Sequence, residues 1–153
     1  MLSILTEEIN KLEGLIAYHE RLLPSVSAAS VGWHIDHSLR AIIGMSKALQ
    51  KSDPAQYRPK LSWSGWWVQM LGWFPRGRGQ APAAVVTTGA VTSDSLHSLV
   101  QAARQMLTAC AALPATSHFK HPAFGIHNKA QTIRLMIVHT RHHRRIIRDI
   151  LAG

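Results

Sequence analysis

Four long stretches of the chain repeat apolar residues at the three- and four-residue spacing of amphipathic helices. Prolines follow three of these stretches, at Pro24, Pro54 and Pro114, where a helix does not readily continue. Only VVTTGAV, at 85–91, has a strand-like pattern. The pattern therefore predicts an all-α fold, a four-helix bundle in one domain over 1–153, with long connecting loops. We expect its helices at 6–23, 30–51, 93–113 and 129–152.

Polar residues mark the starts of the first and last of these helices. Thr6 precedes Glu7 and Glu8, whose negative charges suit the positive end of a helix dipole, so we expect Thr6 to cap the first helix. Asn128, with Gln131 three residues later, has the pattern of a capping box. The last helix should therefore begin near residue 129, and ATSHFKHPAFGIH just before it is interpreted as a linker.

Length and composition favour one compact, intracellular domain. A chain of 153 residues suits a single hydrophobic core. No apolar run reaches the roughly 18–20 residues needed to span a bilayer, and Glu7 and Glu8 stand where a signal peptide would carry positive charge. We therefore expect a cytoplasmic protein without a membrane partner. The single cysteine, Cys110, excludes an intrachain disulfide framework and is expected to be a buried thiol.

A Trp-rich segment lies between Ser62 and Phe74. It contains no Lys or Arg, unlike most helices that lie on a membrane surface. Clustered aromatic residues are typical of protein cores and interfaces, so we expect this face to be buried within the protomer or in a homodimer. The stretch at 75–92 is rich in Gly, Pro and Ala and is interpreted as a long loop. The apolar residues of the segment that share one helical face are Trp63, Trp66, Trp67, Met70, Leu71 and Phe74.

Two histidines of the last helix carry the strongest functional signal. His139 and His143 are one turn apart, about 40° from each other around the helix axis, and they point to its apolar side. Burying two imidazoles without partners costs on the order of 1–3 kcal/mol each, and a divalent metal removes that cost by binding both lone pairs. His142 lies at the edge of the stripe, where it either supports a ligand or faces solvent.

The second helix offers two candidates for a third histidine. His34 and His37 are about 60° apart around the helix axis, and His34 lies nearer the centre of the apolar face. Helix geometry alone therefore slightly favours His34.

SVGWHIDHSLRAI, followed much later by HPAFGIHNKAQTIRLMIVHTRHHRRII, resembles the DinB-like family of metal-binding four-helix bundles. That family carries one ligand histidine in its second helix and an H-x-x-x-H pair in its last helix. The match covers those two helices and the HPAFG stretch. The resemblance implies that His37, rather than His34, binds a metal together with His139 and His143.

The same resemblance implies an up-down-down-up bundle, often dimeric, with zinc or nickel at a site that keeps one position open. Some members of the family are transferases or isomerases that use a low-molecular-weight thiol. Three neutral imidazoles leave the metal its full charge, which acidifies a bound water or thiol. No carboxylate has a helix position that clearly faces the three histidines, which disfavours a hydrolase with a dedicated Glu base and favours thiol chemistry.

The formal net charge of +9 fits either an anionic ligand or partner or a generally basic surface, because net charge alone specifies no site. Arg40, one turn after His37, and Arg76 and Arg78 in the loop are candidates to hold an anionic thiol cofactor or a small acidic substrate. The alternative is a nucleic-acid-binding or other anion-binding protein that uses the arginines on the polar side of the last helix, with the metal structural or absent. Those arginines include Arg141, Arg145 and Arg148.

Overall fold

The computed structural model describes residues 1–72 and 91–153. In these ranges the chain is mainly helical, with a small antiparallel sheet of three strands in the order β1-β3-β2. The helices are α1 (Leu2–Glu13), α2 (Val31–Lys51), α3 (Trp63–Leu71), α4 (Ser93–Ala111) and α5 (Lys129–Ala152). The strands are β1 (Lys60–Leu61), β2 (His118–His121) and β3 (Gly125–Asn128).

The apolar core lies among four of the helices, since α1 and α2 each contact both α4 and α5. Its largest fully buried side chains include Leu5 and Ile9 from α1, Leu39 from α2, Leu96 from α4 and Met136 from α5. The all-α expectation therefore describes the main body of the chain, while the four-helix-bundle topology remains a prediction. Cys110 is buried, as expected.

The boundaries of α2 and α5 follow the capping signals in the sequence. The Ser30 side chain accepts a hydrogen bond from the backbone N–H of Trp33, which fixes the start of α2. Asn128 and Gln131 form the expected reciprocal capping box at the start of α5. Helix α4 begins at the predicted residue, with Thr92 as its cap, and ends two residues early, at Ala111.

The prediction for the first helix was wrong at both ends. Helix α1 begins at Leu2, and Thr6 lies inside it, where its hydroxyl donates to the carbonyl of Leu2 at 3.1 Å instead of capping a terminus. The helix stops at Glu13, and a single 3₁₀ turn, Ile16–Tyr18, follows it. The apolar residues of both pieces pack on the same core, which is why their combined spacing resembles one longer helix.

The segment interpreted as a linker before α5 is a β-hairpin. β2 pairs with β3 from His118 opposite Asn128 to His121 opposite Gly125, and β1 pairs with the outer edge of β3. Gly125 has a positive φ of 86°, and a Cβ at this position would collide with the carbonyl oxygen of Lys60. Glycine is therefore required where β1 pairs with the start of β3.

Helix α3 is attached to α5, and its aromatic face is exposed. Gln69 donates to the backbone carbonyl of Gln131 at 2.9 Å, and Arg134 donates to the carbonyl of Gln69 at 2.8 Å. Trp63 is 76% exposed, so burial within the protomer was the wrong expectation for this face, and burial in a homodimer stays a prediction. Four further apolar side chains on α3 are exposed: Trp66, Trp67, Met70 and Leu71.

Several predictions fall partly or wholly outside the described residues. They concern Phe74, Arg76, Arg78 and the loop at 75–92, apart from its last two residues. Among the described helices, none combines the length and the apolar character that a membrane crossing requires.

Candidate metal centre

Three of the predicted histidines come together where α2 faces α5. His37 projects from α2, and His139 and His143 project from successive turns of α5. Each offers one ring nitrogen, and the three nitrogens lie within 4.8 Å of one another. These are the three residues that the DinB-like resemblance singled out, and the cluster is close enough to hold a metal ion.

The closest contact inside this cluster joins His37 and His139. Their Nε2 atoms are 3.2 Å apart, and their ring centroids are 5.0 Å apart. The His143 ring lies 4.8 Å from the His37 ring and 4.6 Å from the His139 ring, in edge-to-face arrangements. At this distance the two Nε2 atoms can form a hydrogen bond, in which one carries the proton and the other accepts it. Alternatively, both are unprotonated and their lone pairs point to a common position, where a metal ion could bind.

Burial favours the neutral form of the His139 and His143 imidazoles. It lowers the pKa of His143 well below its usual value, and the neighbouring His139 and His37 would add charge repulsion if it were protonated. The pKa of His139 is lowered in the same way by burial and by His37, although part of the His139 side chain reaches the surface. Neutral imidazoles are the form that binds a metal, so no proton has to be removed from a charged ring at neutral pH.

His34, the competing candidate on α2, is buried beside this cluster and is not part of it. Its Nδ1 lies 2.9 Å from Nδ1 of His143, and its Nε2 lies 3.0 Å from the hydroxyl of Ser27. Burial lowers the pKa of His34 to about 4, and the nearby His37 adds to this effect. Both ring nitrogens of His34 therefore already face hydrogen-bond partners.

Trp33 forms one wall of the site, a role that was not predicted from the sequence. Its ring stacks on the His37 ring with centroids 4.8 Å apart and planes 4° from parallel, and it meets the His34 ring edge-on at 5.1 Å. Trp33 is adjacent to His34 and one turn before His37, so helical spacing could have indicated the contact. Stacking restricts the orientation of the His37 ring.

The hairpin carries three histidines, and no role was predicted from the sequence for the two in its HPAFGIH stretch, His121 and His127. His127 is fully buried, and its Nδ1 donates to the carbonyl of Gly125 at 3.2 Å. His121 accepts hydrogen bonds at Nδ1 from the backbone N–H groups of Ala123 and Phe124, at 3.1 and 3.2 Å. Burial lowers the pKa of His121 to about 4, with a smaller effect of His127. The two histidines fall in the HPAFGIH stretch, which was interpreted as a linker.

His142 and Arg40 lie near the cluster in different roles. The His142 ring meets the His143 ring edge-on at 5.3 Å, and His142 is half-buried, which fits the predicted position at the edge of the stripe. Arg40 donates from Nε to the buried carboxylate of Asp36 at 2.7 Å. Arg40 was predicted to bind an anionic cofactor. In the structure, its guanidinium already pairs with the carboxylate of Asp36, an acid of the same helix.

Part of the arginine face of α5 is used inside the protomer. The buried carboxylate of Glu8 accepts hydrogen bonds from Arg141, at 3.0 Å, and from Arg144. Burial alone would raise the pKa of Glu8, but the two arginines, together with Lys11, outweigh burial and lower the pKa below its ordinary value. Glu8 therefore joins α1 to α5, which corrects its expected role at a helix start. Arg145 and Arg148 are exposed beside this pair.

A scan against protein-family models gives no match for this chain, and searches of curated proteins and of solved structures likewise give none. The DinB-like resemblance therefore remains a prediction based on the sequence motifs.

Proposed function

We propose that this protein is a metal-dependent enzyme in which His37, His139 and His143 hold one divalent cation. The observation that carries the proposal is the convergence of three ring nitrogens within 4.8 Å, contributed by two helices about 100 residues apart in sequence. Two of these histidines are buried, and burial favours the neutral state in those of α5. A set of three neutral nitrogen donors fits zinc or nickel, which both bind imidazole well.

A cation bound by three neutral imidazoles would keep its full double charge and lower the pKa of a water or thiol in an open position. The residues around the three histidines indicate which type of reaction the site favours. Trp33 fixes the His37 ring and shields one side of it. Asp36, the acid next to His37 in sequence, is bound to Arg40, so it is not placed as a dedicated base. This arrangement supports thiol transfer or isomerisation more than hydrolysis with a carboxylate base.

The positive charge of the protein favours an anionic substrate without locating its binding site. We propose a small, anionic substrate together with a low-molecular-weight thiol, because the net charge of +9 attracts anions. Arg40 is the described arginine closest in sequence to a cluster histidine on α2. Arg76 and Arg78, which lie outside the described residues, remain further candidates for holding the anionic group.

Cobalt substitution tests whether the site binds a thiol. Cobalt(II) at three imidazoles and an open position gives visible absorption bands, and a sulfur ligand adds an intense near-ultraviolet band. We expect glutathione or cysteine to produce that band in the cobalt-loaded protein and not in the His139→Ala variant exposed to the same cobalt, because that variant lacks one of the proposed ligands. A cobalt spectrum that is unchanged by either thiol would contradict the thiol part of the proposal and leave water activation.

One observation favours a second function, anion binding on the opposite side of α5. A groove of about 740 Å³ between α1 and α5 is lined by Lys11, Arg145 and Arg148 beside the Glu8 contacts. Nucleic acid bound there would show a steep loss of affinity with salt and no need for metal. Titration of labelled DNA and RNA at rising salt, with Arg145→Glu and Arg148→Glu as the diagnostic variants, separates this function from the enzyme. Tight, charge-dependent binding at physiological salt would favour the nucleic-acid function.

A further inference from the structure

His34 and His143 are joined directly, although they are 109 residues apart in the chain. Their Nδ1 atoms are 2.9 Å apart in the buried space between α2 and α5. A neutral imidazole carries one N–H and one lone pair, so one of these rings donates and the other accepts. Which ring donates determines where His143 carries its proton, and therefore whether its Nε2 has a lone pair.

The other end of His34 contacts a hydroxyl, which can either donate or accept a hydrogen bond. Its Nε2 lies 3.0 Å from the hydroxyl oxygen of Ser27, which also accepts a hydrogen bond from the backbone N–H of Ala29 at 3.1 Å. Ser27 and Ala29 lie in the connection that leads into α2. The chain of contacts thus runs from the backbone of Ala29 through Ser27 and His34 to His143.

Two proton arrangements satisfy this chain of contacts. In the first, the Ser27 hydroxyl donates to His34, His34 donates from Nδ1 to His143, and the His143 proton is left on Nε2. In the second, His34 donates from Nε2 to Ser27, and His143 donates from Nδ1 to His34. Only the second arrangement leaves a lone pair on Nε2 of His143, the nitrogen that is not engaged with His34.

We infer that His34 is a positioning residue that, with Ser27 behind it, holds His143 in the Nδ1–H tautomer and directs its Nε2 toward His37 and His139. This inference rests on the proposed metal centre. Metal-binding histidines generally donate their second ring N–H to an outer partner, usually a carboxylate, a carbonyl or water. Here the outer partner is a neutral imidazole, so the support of His143 adds no negative charge, and a bound cation keeps its full electrophilic character.

The inference also explains why His34 lies near the centre of the apolar face without joining the three-histidine cluster. Both of its nitrogens are used, one on His143 and the other on Ser27. A ligand role would require His34 to give up at least one of these contacts. The ring is also held from the side by the edge contact with Trp33.

Zinc affinity, measured by competition with a chromophoric chelator, tests the role of His34. We expect His34→Leu, which keeps the buried volume but has no acceptor, to weaken zinc binding about 10- to 100-fold, as is typical when an outer partner of a ligand histidine is lost. His34→Asn, whose side-chain oxygen can stand near the Nδ1 position, should recover most of the affinity. Ser27→Ala should give a smaller loss, and Ser30→Ala, which removes the cap of α2 in the same connection, serves as its matched control.

A spectroscopic readout keeps the test independent of how well the variants fold. Long-range ¹H–¹⁵N correlation spectra of the zinc-loaded wild-type protein report the tautomer of each histidine. We expect His143 protonated on Nδ1 with zinc on Nε2, and His34 neutral and protonated on Nε2. Zinc on Nδ1 of His143, or unchanged zinc affinity in folded His34→Leu, overturns the inference while the metal centre stands. A wild-type protein that binds no zinc overturns the metal centre itself, and this inference with it.

Discussion

The ring of Trp33 lies flat on the ring of His37, with the two planes only 4° from parallel and the centroids 4.8 Å apart. The contact joins the first turn of α2 to the cluster, since the His37 Nε2 faces His139. An aromatic pair of this kind contributes about 0.5–1.5 kcal/mol beyond the area that it buries. Trp33 therefore stabilises one orientation of a candidate metal ligand.

Replacing Trp33 should loosen the candidate metal centre without removing a ligand. We expect Trp33→Ala to weaken zinc binding several-fold, because His37 loses the surface that orients it, and Trp33→Phe to retain most of the affinity. Isothermal titration with zinc measures both. The exposed Trp63, replaced by Ala, is the matched control. Equal zinc affinity for Trp33→Ala and wild type would show that the stacking does not matter for the site.

The buried carboxylate of Glu8 should matter for stability in a pH-dependent way. Its pKa is lowered in the folded protein, so its contribution is present above the ordinary value of 4.5 and is lost as the pH falls through the lowered one. We expect Glu8→Gln to lower the free energy of unfolding at pH 7 by about 1–3 kcal/mol, because Arg141 and Arg144 lose a charged acceptor.

Urea unfolding at pH 7 measures this loss, and Glu7→Gln is the matched control, because Glu7 is exposed and one position away. The Glu7 variant should unfold within about 0.5 kcal/mol of wild type, as surface substitutions usually do. Equal losses for the two variants would contradict the role assigned to Glu8.

The boundaries of α2 and α5 and the pairing of His139 with His143 could be predicted because their signals are local. Ser30 and Asn128 mark helix starts within one turn, and the four-residue spacing of His139 and His143 places both on one face. The choice of His37 over His34 needed more than spacing. Helix geometry alone pointed to His34, and only the resemblance pointed to the residue that the structure brings beside the pair.

The parts that were missed depend on contacts between distant segments. The strands of the hairpin are four residues each, too short to show periodicity, and β3 also pairs with Lys60–Leu61, more than 60 residues earlier. The spacing of apolar residues in α3 is the same for a buried helical face and for an exposed one. The exposure of Trp63 could therefore not be predicted from the sequence. The contact of Glu8 with Arg141 likewise joins the two ends of the chain.

Acid should destabilise the metal-free protein before its carboxylates are protonated. The pKa of His34 falls from 6.5 to about 4 on folding, so the unfolded chain binds a proton first as the pH drops. The stabilising contribution is complete above pH 6.5 and is lost progressively between about 6.5 and 4. We expect the free energy of unfolding to decrease over this interval, and His34→Leu to show a shallower decrease. A metal-free stability that is flat from pH 7 to 5 would contradict the burial of neutral histidines.

The exposed aromatic face of α3 should be the contact surface of the predicted homodimer. We expect sedimentation equilibrium to show a dimer, and Trp63→Asp combined with Trp67→Asp to shift it to monomer, since charge is unfavourable in an apolar interface. The alternative is that this aromatic face binds a membrane surface. Co-sedimentation of the wild-type protein with anionic liposomes, with a blue shift of Trp emission, would contradict the dimer assignment.

The central claim is that His37, His139 and His143 bind one divalent metal ion. The most direct measurement is metal content by mass spectrometry, in protein purified without a nickel column and then equilibrated with one equivalent of zinc. We predict about one zinc ion per wild-type chain and a large loss of zinc in each of the three single alanine variants. The zinc content of His142→Ala should be near that of wild type. The His34→Leu variant should still bind zinc, but only at higher zinc concentrations than wild type needs. If His34→Ala loses the metal while His37→Ala keeps it, the ligand on α2 is misassigned. If wild type and all variants contain the same small amount, the metal centre does not exist.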